Sequence, residues 1–137
     1  MTILNPYLSF RGNAREAMEF YQSVFGGDLR LDTFGASGMS QDPAEVDLIM
    51  HAQLTTPSGL TLMGSDTPAR VDLTVGDNVS VSLSGEDEAE LRGFWDGLVA
   101  GGTVSLPLER APWGDTFGMC IDPFGIHWMV NVTVPAA

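Results

Sequence analysis

The stretch FYQSVFGG at residues 20–27 recurs in outline as FWDGLVAGG at residues 94–102, with one residue inserted before the paired glycines. In both copies the apolar residues fall at the three- and four-residue spacing of an amphipathic helix. Paired glycines are typical of a helix end, because glycine adopts the left-handed backbone conformation without steric cost. The two stretches therefore predict two similar helices at corresponding places in the chain.

A second repeated motif follows the two predicted helices. The segment TPSGL at residues 56–60 corresponds to DPFGI at residues 122–126, and each is typical of a tight turn between two strands. Met63 then corresponds to Met129 at the same separation of 66 positions. Two repeated motifs in the same order indicate that the chain arose by internal duplication.

Around these motifs, each half of the chain follows the order strand, helix, three strands. Asn13 begins the first helix at capping-box spacing from Glu16, and acidic residues 86–88 precede the second helix. The fold class is therefore predicted as α+β, built from two βαβββ modules. The predicted strands are about Ile3–Phe10, Asp28–Phe34, Asp47–Thr55, Leu60–Ser65, Val79–Ser84, Thr103–Glu109, Asp115–Ile121 and Ile126–Val132.

Two segments between the strands are polar and rich in turn-forming residues. The segment Gly35–Asp47 is predicted as a long, mobile loop with few anchors to the core. Residues 67–77 are predicted as a linker. A single domain is expected to span residues 1–137, with a first module at about 1–66 and a second at about 78–137.

The composition excludes several classes of protein. The 137 residues carry a net charge of -12, from 18 acidic and 6 basic side chains, and all the basic residues are arginines. So acidic a chain cannot assemble the basic patch that nucleic acid or an anionic membrane surface requires, and neither partner is expected. Cys120 is the single cysteine, which excludes an intrachain disulfide. The N-terminal residues lack the pattern of a signal peptide, and no apolar run approaches the length of a membrane span, so a cytoplasmic location is expected.

The ordered set of motifs resembles the vicinal oxygen chelate superfamily, which includes glyoxalase I, extradiol dioxygenases, fosfomycin-resistance enzymes and bleomycin-binding proteins. Within that superfamily the chain is similar to the PhnB-like branch. The resemblance implies eight strands curled into an open, cavity-forming mixed sheet, with the helices on its convex face. The residues that carry it are Asn13-Ala14, Glu16-Ala17, Phe20-Tyr21, Phe25-Gly26-Gly27, Pro112-Trp113-Gly114, Asp122-Pro123-Phe124-Gly125, Trp128 and Asn131.

Strand alternation, combined with the implied fold, assigns polar side chains to the cavity. In the fifth predicted strand, for example, Val79 is assigned to the helix side and Ser80 to the cavity. Methionine and tryptophan side chains are expected to add apolar contact with a bound molecule. For Trp113, which lies between Pro112 and Gly114, two positions stay open: it either caps the cavity mouth or fills the core. The predicted ligand-binding residues are His51, Gln53, Met63, Asn78, Ser80, Trp113, Met129 and Asn131.

Metal-dependent members of the superfamily take their ligands, usually His and Glu, from the first, fourth, fifth and last strands. The resemblance places Pro6, Met63, Asn78 and Met129 at these positions. Proline has no side-chain donor atom, methionine prefers soft Cu(I), and one asparagine carbonyl is a weak ligand. No metal at the superfamily site and no other cofactor are therefore predicted.

Three further side chains have candidate roles of their own. His51 is either a general base or a histidine hydrogen-bonded between strands, and the structural role is favoured. His127 directly follows a turn, where partial exposure is expected. Cys120 has no neighbouring base in the sequence and is predicted to be a buried apolar side chain rather than a nucleophile.

Three functions fit these residues. The leading hypothesis is a PhnB-like protein that binds a small polar molecule in the sheet cavity without the family metal. The alternatives are a metal-dependent lyase, isomerase or dioxygenase of the same superfamily, and a drug-sequestering resistance protein of the bleomycin-binding type. Whether the protein is an enzyme stays open, and no catalytic residue is assigned. A homodimer is expected, since small proteins of this superfamily commonly pair across a twofold axis and an open sheet leaves strand edges to be covered.

Overall fold

The computed structural model describes residues 1–135, which divide into two compact units, the first ending at Val75 and the second beginning at Gly76. The predicted order of elements is confirmed in both units. Neither helix within residues 1–135 combines the length and the apolar character needed to cross a bilayer. The elements are β1 (Tyr7–Phe10), α1 (Ala14–Phe25), β2 (Asp28–Thr33), β3 (Ile49–Thr55), β4 (Thr61–Asp66), β5 (Val81–Gly85), α2 (Glu88–Val99), β6 (Thr103–Arg110), β7 (Thr116–Ile121) and β8 (His127–Val132).

Each unit contains one four-stranded mixed sheet. In the first unit the strand order is β1-β4-β3-β2, with β1 parallel to β4 and the other neighbours antiparallel. In the second unit the order is β5-β8-β7-β6, with the same pattern of directions. The α+β class with two βαβββ modules is thus confirmed, and the strands of residues 1–135 close no barrel. The grouping of both modules into a single domain stays a prediction.

One helix covers one face of each sheet. α1 contacts β2, β3 and β4, and α2 contacts β5, β7 and β8. The strands bury alternate residues beneath the helices, so that Ala52, Leu54 and Val130 have no exposed surface. Burying a large apolar side chain stabilises a fold by about 1.5–3 kcal/mol, so each helix–sheet layer is a substantial source of stability. The buried helix residues are Ala14, Ala17, Met18 and Tyr21 in α1, and Leu91, Trp95 and Leu98 in α2.

A glycine after each helix makes room for a neighbouring strand. Gly27 has a backbone φ of +97°, and a Cβ atom at this position would overlap the carbonyl oxygen of Thr55. Gly102 is in the same situation, because a Cβ atom there would overlap the carbonyl oxygen of Ile121. Both positions therefore require glycine for the chain to return directly to its sheet. The paired glycines serve this close approach as well as the helix end that the sequence predicted.

Replacing Gly27 tests this constraint. Gly27→Ala should lower the free energy of unfolding by about 2–3 kcal/mol, because the added methyl group must displace the backbone of β3. Gly93→Ala is the matched control, since Gly93 lies in α2 with open space at its Cβ position. Alanine at position 93 should raise stability by about 0.5–1 kcal/mol, because it is the better helix former. Urea unfolding measures both effects, and equal unfolding midpoints for the two variants would show that the close approach is not required.

The two turns that the sequence matched have the same hydrogen-bond pattern. In the first turn the Thr56 hydroxyl accepts from the backbone N–H of Leu60 at 3.0 Å. In the second turn Asp122 Oδ1 accepts from the N–H of Ile126 at 3.1 Å. The aspartate has a second oxygen, and this Oδ2 accepts from the indole Nε1–H of Trp128 at 2.8 Å. The shared pattern supports the internal duplication indicated by the sequence.

A buried carboxylate joins the start of α1 to the end of β4. Asp66 is 3% exposed. Its Oδ1 accepts from the backbone N–H groups of Gly12 and Ala14 at 2.8 and 3.0 Å, and its Oδ2 accepts from that of Ile49 at 2.9 Å. These charge-assisted bonds compensate for removing the carboxylate from water. Asn13 precedes α1 as predicted but makes no side-chain hydrogen bond to it, so the predicted capping box is wrong.

A second buried carboxylate holds the loop between β2 and β3. Glu45 is 9% exposed, its Oε2 accepts from the Ser40 hydroxyl at 3.0 Å, and the same oxygen lies 3.8 Å from Arg70 Nη1. Within the loop, the N–H of Gly35 donates to the carbonyl of Val46 at 3.0 Å. The expectation of a loop with few anchors is wrong, because the carboxylate of Glu45 and backbone hydrogen bonds hold the loop in place. The side chain that anchors it is charged, not apolar.

Arg11 fixes the segment that was predicted as a linker. Its guanidinium donates to the carbonyl oxygen of Pro68 at 3.1 Å and to that of Val71 at 2.8 Å. Residues 67–75 accordingly belong to the first compact unit.

Candidate functional site

In the first unit, the sheet face turned away from α1 carries a row of four side chains, one from each strand. Tyr7 of β1 pairs with Met63 of β4. Met63 pairs with Gln53 of β3, which pairs in turn with Arg30 of β2. Ala52 precedes Gln53 on β3 and is fully buried under α1. Because successive residues of a strand point to opposite faces, the row lies on the face of the sheet away from the helix.

A second row lies next to the first. His51 of β3 pairs with Asp32 of β2, and Ser9 of β1 pairs with Ser65 of β4. Residues two apart on a strand share a face, so the two rows form one predominantly polar surface.

A groove of about 430 Å³ opens on this face between β2 and β3. It offers carboxylates, a guanidinium, an imidazole, an amide and a hydroxyl within one small volume, and so contains both hydrogen-bond donors and acceptors. Its size lies within the range of about 300–1,000 Å³ that is usual for small-molecule sites. The lining residues are Asp28, Leu29, Arg30, Asp32, His51, Gln53 and Thr55.

His51 is oriented from β1. The Tyr7 hydroxyl lies 3.3 Å from His51 Nδ1, and the two ring centroids are 5.7 Å apart. The other ring nitrogen, Nε2, has no hydrogen-bond partner within residues 1–135. One ring nitrogen of His51 is thus held by the protein, and the other is available to a molecule in the groove.

Arg30 and Asp32 form an ion pair along β2. Arg30 Nε lies 3.2 Å from Asp32 Oδ2, and the arginine side chain is 79% exposed. An exposed pair of this kind contributes only ~0–1 kcal/mol to stability. The pair matters for the site because it holds the Arg30 guanidinium at the wall of the groove.

The corresponding face of the second unit is less polar. Met129 of β8 pairs with Ser82 of β5 on one side and with Met119 of β7 on the other. Met119 pairs with Leu106 of β6, which is 45% exposed. The duplicated scaffold therefore presents a charged face in one copy and a methionine-rich face in the other.

Trp113 lies between β6 and β7 and is 62% exposed. Its ring meets that of Phe117 edge-on, with the centroids 5.5 Å apart. This exposure excludes a position of Trp113 in the core, and its role as a ligand-binding residue stays a prediction.

Asn131 is already engaged within the second unit. Its Nδ2 donates to Asp115 Oδ2 at 3.1 Å, and the backbone N–H of Val134 donates to Asp115 Oδ1 at 3.1 Å. The bond from Asn131, followed by that from Val134, lowers the pKa of Asp115 because both bonds favour the charged carboxylate. Asn131 thus orders the end of β8 through Asp115, which reduces the capacity of its amide to bind a ligand.

Cys120 lies on the helix side of β7 and is 1% exposed. Burial raises the pKa of its thiol to about 11, and the nearby negative charge of Asp122 adds to the rise. Because the thiolate is the nucleophilic form, this environment disfavours a catalytic role. The predicted buried position of Cys120 is confirmed.

The reactivity of the thiol provides a direct check. At pH 8, Cys120 in the native protein should react with Ellman's reagent about 100-fold more slowly than in the urea-unfolded protein, where its pKa returns to about 8.5. A cysteine at Ser58, in the exposed turn before β4, is the matched control and should react rapidly in the folded protein. Labelling of native Cys120 at the unfolded rate would contradict the burial described above.

The predicted ligand-binding residues are divided between the two units. Three lie on the polar face of the first unit, and five belong to the second unit. The first group is His51, Gln53 and Met63, and the second group is Asn78, Ser80, Trp113, Met129 and Asn131.

Asn78 and Ser80 lie outside the strands. β5 begins at Val81. Val79, which alternation assigned to the helix side, is 75% exposed. The predicted start of this strand is therefore wrong, and no strand supports the inward direction assigned to Asn78 and Ser80. Their role as ligand-binding residues stays a prediction.

Tyr7, Arg30 and Asp32 contribute to the polar face but were missing from the sequence prediction. A signal was present in the segment DLRLD at residues 28–32, where charged residues alternate with leucines. Such alternation is typical of a strand with one buried and one open face. Placing these charges beside His51 requires the pairing register of β2 and β3, which short-range patterns do not contain.

Two of the four positions assigned to the superfamily metal lie on strands. Met63 of β4 lies opposite Tyr7 in the first unit, and Met129 of β8 lies opposite Ser82 in the second. Thioethers, phenols and hydroxyls are not preferred ligands of Zn, Fe, Mn or Ni. Within residues 1–135 no group of three His, Cys, Asp or Glu side chains is arranged to hold a metal ion. Pro6 and Asn78 lie outside the strands, and the assignment of all four positions stays a prediction.

The model of the Glyoxalase/Bleomycin resistance protein/Dioxygenase superfamily matches residues 3–130 of the chain. The protein belongs to this superfamily. Its two βαβββ modules and their mixed sheets are consistent with the glyoxalase fold.

Several known proteins are similar over nearly the whole chain. Protein PA1353 from Pseudomonas aeruginosa is 37% identical, with a TM-score of 0.82, and the match covers 98% of this chain and 100% of that one. Protein YjdN from Escherichia coli (strain K12) is 30% identical over 94% of each chain. The PhnB protein from Bacillus cereus shares the fold with a TM-score of 0.77 at 24% identity, covering 96% of this chain and 100% of that one. The likeness to the PhnB protein is one of fold.

Proposed function

We propose that this superfamily member binds a small polar molecule in the groove between β2 and β3, without the metal used by metal-dependent relatives. The observation that carries the proposal is the groove of about 430 Å³ with His51 in its wall. Tyr7 orients one ring nitrogen of His51, while Nε2 has no partner within residues 1–135. The proposal narrows the predicted sheet cavity to a groove within the first unit.

The chemistry of the groove favours hydrogen bonding over apolar contact. Arg30 can only donate, Asp28 and Asp32 accept when ionised, and the Gln53 amide does both. A molecule that pairs with several of these groups at once is held in one orientation, which is how a few placed polar groups give a site its specificity. Metal-independent binding is supported by the residues at the four positions that the resemblance assigns to the family metal, because proline and methionine provide no hard ligand and one asparagine carbonyl is a weak one.

A ligand screen followed by a histidine swap tests the proposal. Small polar molecules are screened by thermal shift, and each hit is titrated by calorimetry. His51→Gln should weaken binding at least about tenfold, which corresponds to the ~1.4 kcal/mol of one well-placed hydrogen bond. His127→Gln is the matched control, since His127 lies in β8 and outside the groove lining. A compound whose binding is weakened by His127→Gln but not by His51→Gln would contradict the proposed location of the binding site.

Elemental analysis tests the absence of the family metal. After treatment with a chelator and dialysis, the protein should contain far less than one Zn, Fe, Mn or Ni ion per chain, because tight binding takes about three or four imidazole, carboxylate or thiolate ligands. An adventitious ion on the acidic surface should be lost in the same treatment. One tightly held ion per chain that disappears in His51→Gln would contradict the proposal and favour the metal-dependent enzyme.

We also propose that the protein is a homodimer. β6 lies at the edge of its sheet and leaves Val104 and Leu106 exposed by 46% and 45%. Apolar residues on a sheet edge favour association with another chain. Size-exclusion chromatography with light scattering should give about twice the chain mass of 14.7 kDa. A mass of one chain at tens of micromolar protein would contradict the dimer.

A further inference from the structure

The groove of the first unit contains opposite charges at a regular spacing. Asp28, Arg30 and Asp32 alternate along β2 and line the groove together. Successive members of this series are separated by about 6.6 Å along the strand, from a rise of about 3.3 Å per residue. On the basis of the function proposed above, we infer that the ligand is a dipeptide-sized zwitterion whose carboxylate pairs with Arg30 and whose ammonium group pairs with Asp28.

The guanidinium of Arg30 is suited to a carboxylate. Its pair with Asp32 uses Nε, and the two terminal nitrogens have no partner within residues 1–135. Arg11, by contrast, directs both of its terminal nitrogens to backbone carbonyls. The fork of Arg30 can therefore donate to an incoming carboxylate while it remains attached to the wall of the groove.

Asp28 is suited to an ammonium group. Its carboxylate has no ion pair or hydrogen bond within residues 1–135. Asp32 already compensates Arg30, so the charge of Asp28 is the uncompensated one in the groove. A purely anionic ligand at Arg30 would be repelled by Asp28, and a purely cationic ligand at Asp28 would leave the donors of Arg30 unused. A zwitterion satisfies both groups.

The spacing selects the length of the ligand. Two extended residues span at most about 7 Å, so an extended dipeptide separates its terminal charges by nearly the distance between Asp28 and Arg30 along β2. Thr55 pairs with Asp28, and Gln53 pairs with Arg30, on the neighbouring strand. Their hydroxyl and amide groups line the groove beside the two charges and can bind the peptide group between the ligand's termini.

Charges on β2 have a second use, because β2 is an edge strand and charged side chains discourage it from pairing with another chain. Edge protection requires charge on the strand but no particular order of signs and no ligand. Binding experiments with matched probes distinguish the two roles.

The probes are three forms of one molecule: glycylglycine, which is a zwitterion, N-acetylglycylglycine, which is an anion, and glycylglycinamide, which is a cation. Each is titrated at millimolar concentration into the full chain and followed by two-dimensional amide NMR. Glycylglycine should shift the resonances of residues 28–32 and 51–55 and bind at least about fivefold more tightly than either capped form. Arg15→Gln on the exposed side of α1 is the control variant and should change none of these affinities.

Two charge variants then separate the ends of the ligand. Arg30→Gln should weaken the binding of glycylglycine and of N-acetylglycylglycine at least fivefold and leave the affinity for glycylglycinamide unchanged. Asp28→Asn should weaken the binding of glycylglycine and of glycylglycinamide to the same extent, and the affinity for the acetylated form should stay unchanged or increase. Both side chains are exposed, and an unfolding midpoint equal to that of the wild type verifies that each variant is folded.

Three results would overturn the inference, and they differ in what they mean for the proposed function. If the acetylated form binds as tightly as glycylglycine and is insensitive to Asp28→Asn, the groove takes a simple anion. If no form shifts the groove residues while another compound from the ligand screen does, the groove binds a different class of molecule and the proposed function stands. If neither the probes nor any screened compound shifts these residues, both the inference and the proposed function fail.

Discussion

The first unit depends on a carboxylate buried where three chain segments meet. Asp66 ends β4, and its two oxygens accept N–H groups from the start of α1 and the start of β3. The N–H groups of Ala14 and Ile49 are buried, and each would cost about 1–3 kcal/mol if left without an acceptor. The carboxylate therefore fixes the helix against the sheet. On β3, Ala52 lies under this helix and its neighbour His51 lies on the open face.

Features that depend on neighbouring residues were accessible from the sequence. The helices, their glycine ends and the two matched turns rest on local chemistry, so the echo of residues 20–27 in residues 94–102 was sufficient to predict two βαβββ modules. The start of β5 was less accessible. The alternation of valine and serine runs from Val79 onward, but only the part from Val81 pairs with β8, and Val79 remains 75% exposed. Alternation alone does not show where a partner strand begins.

The candidate site was predictable only in part for a related reason. His51 and Gln53 could be assigned to one face from the alternation within β3. Tyr7 could not be assigned to them, because it lies 44 positions from His51 and reaches it through the parallel pairing of β1 with β4. Arg30 enters the site through the antiparallel register of β2 with β3. Long-range pairing of this kind is set by the whole sheet, and a shift of one residue would reverse every face.

The two matched turns differ in one hydrogen bond, which in the second turn joins Asp122 to Trp128, six positions further along the chain. Thr56 and Asp122 both provide the oxygen that the turn requires, but only the aspartate has a second oxygen, which the indole of Trp128 satisfies. In the first module the position corresponding to Trp128 is Leu62, which has no N–H group to donate. An aspartate exchanged into the first turn alone would leave a carboxylate oxygen without its indole donor, and a threonine in the second turn would leave the indole without its acceptor. Each turn residue is thus matched to the core of its own module, and the two modules cannot exchange these residues one at a time.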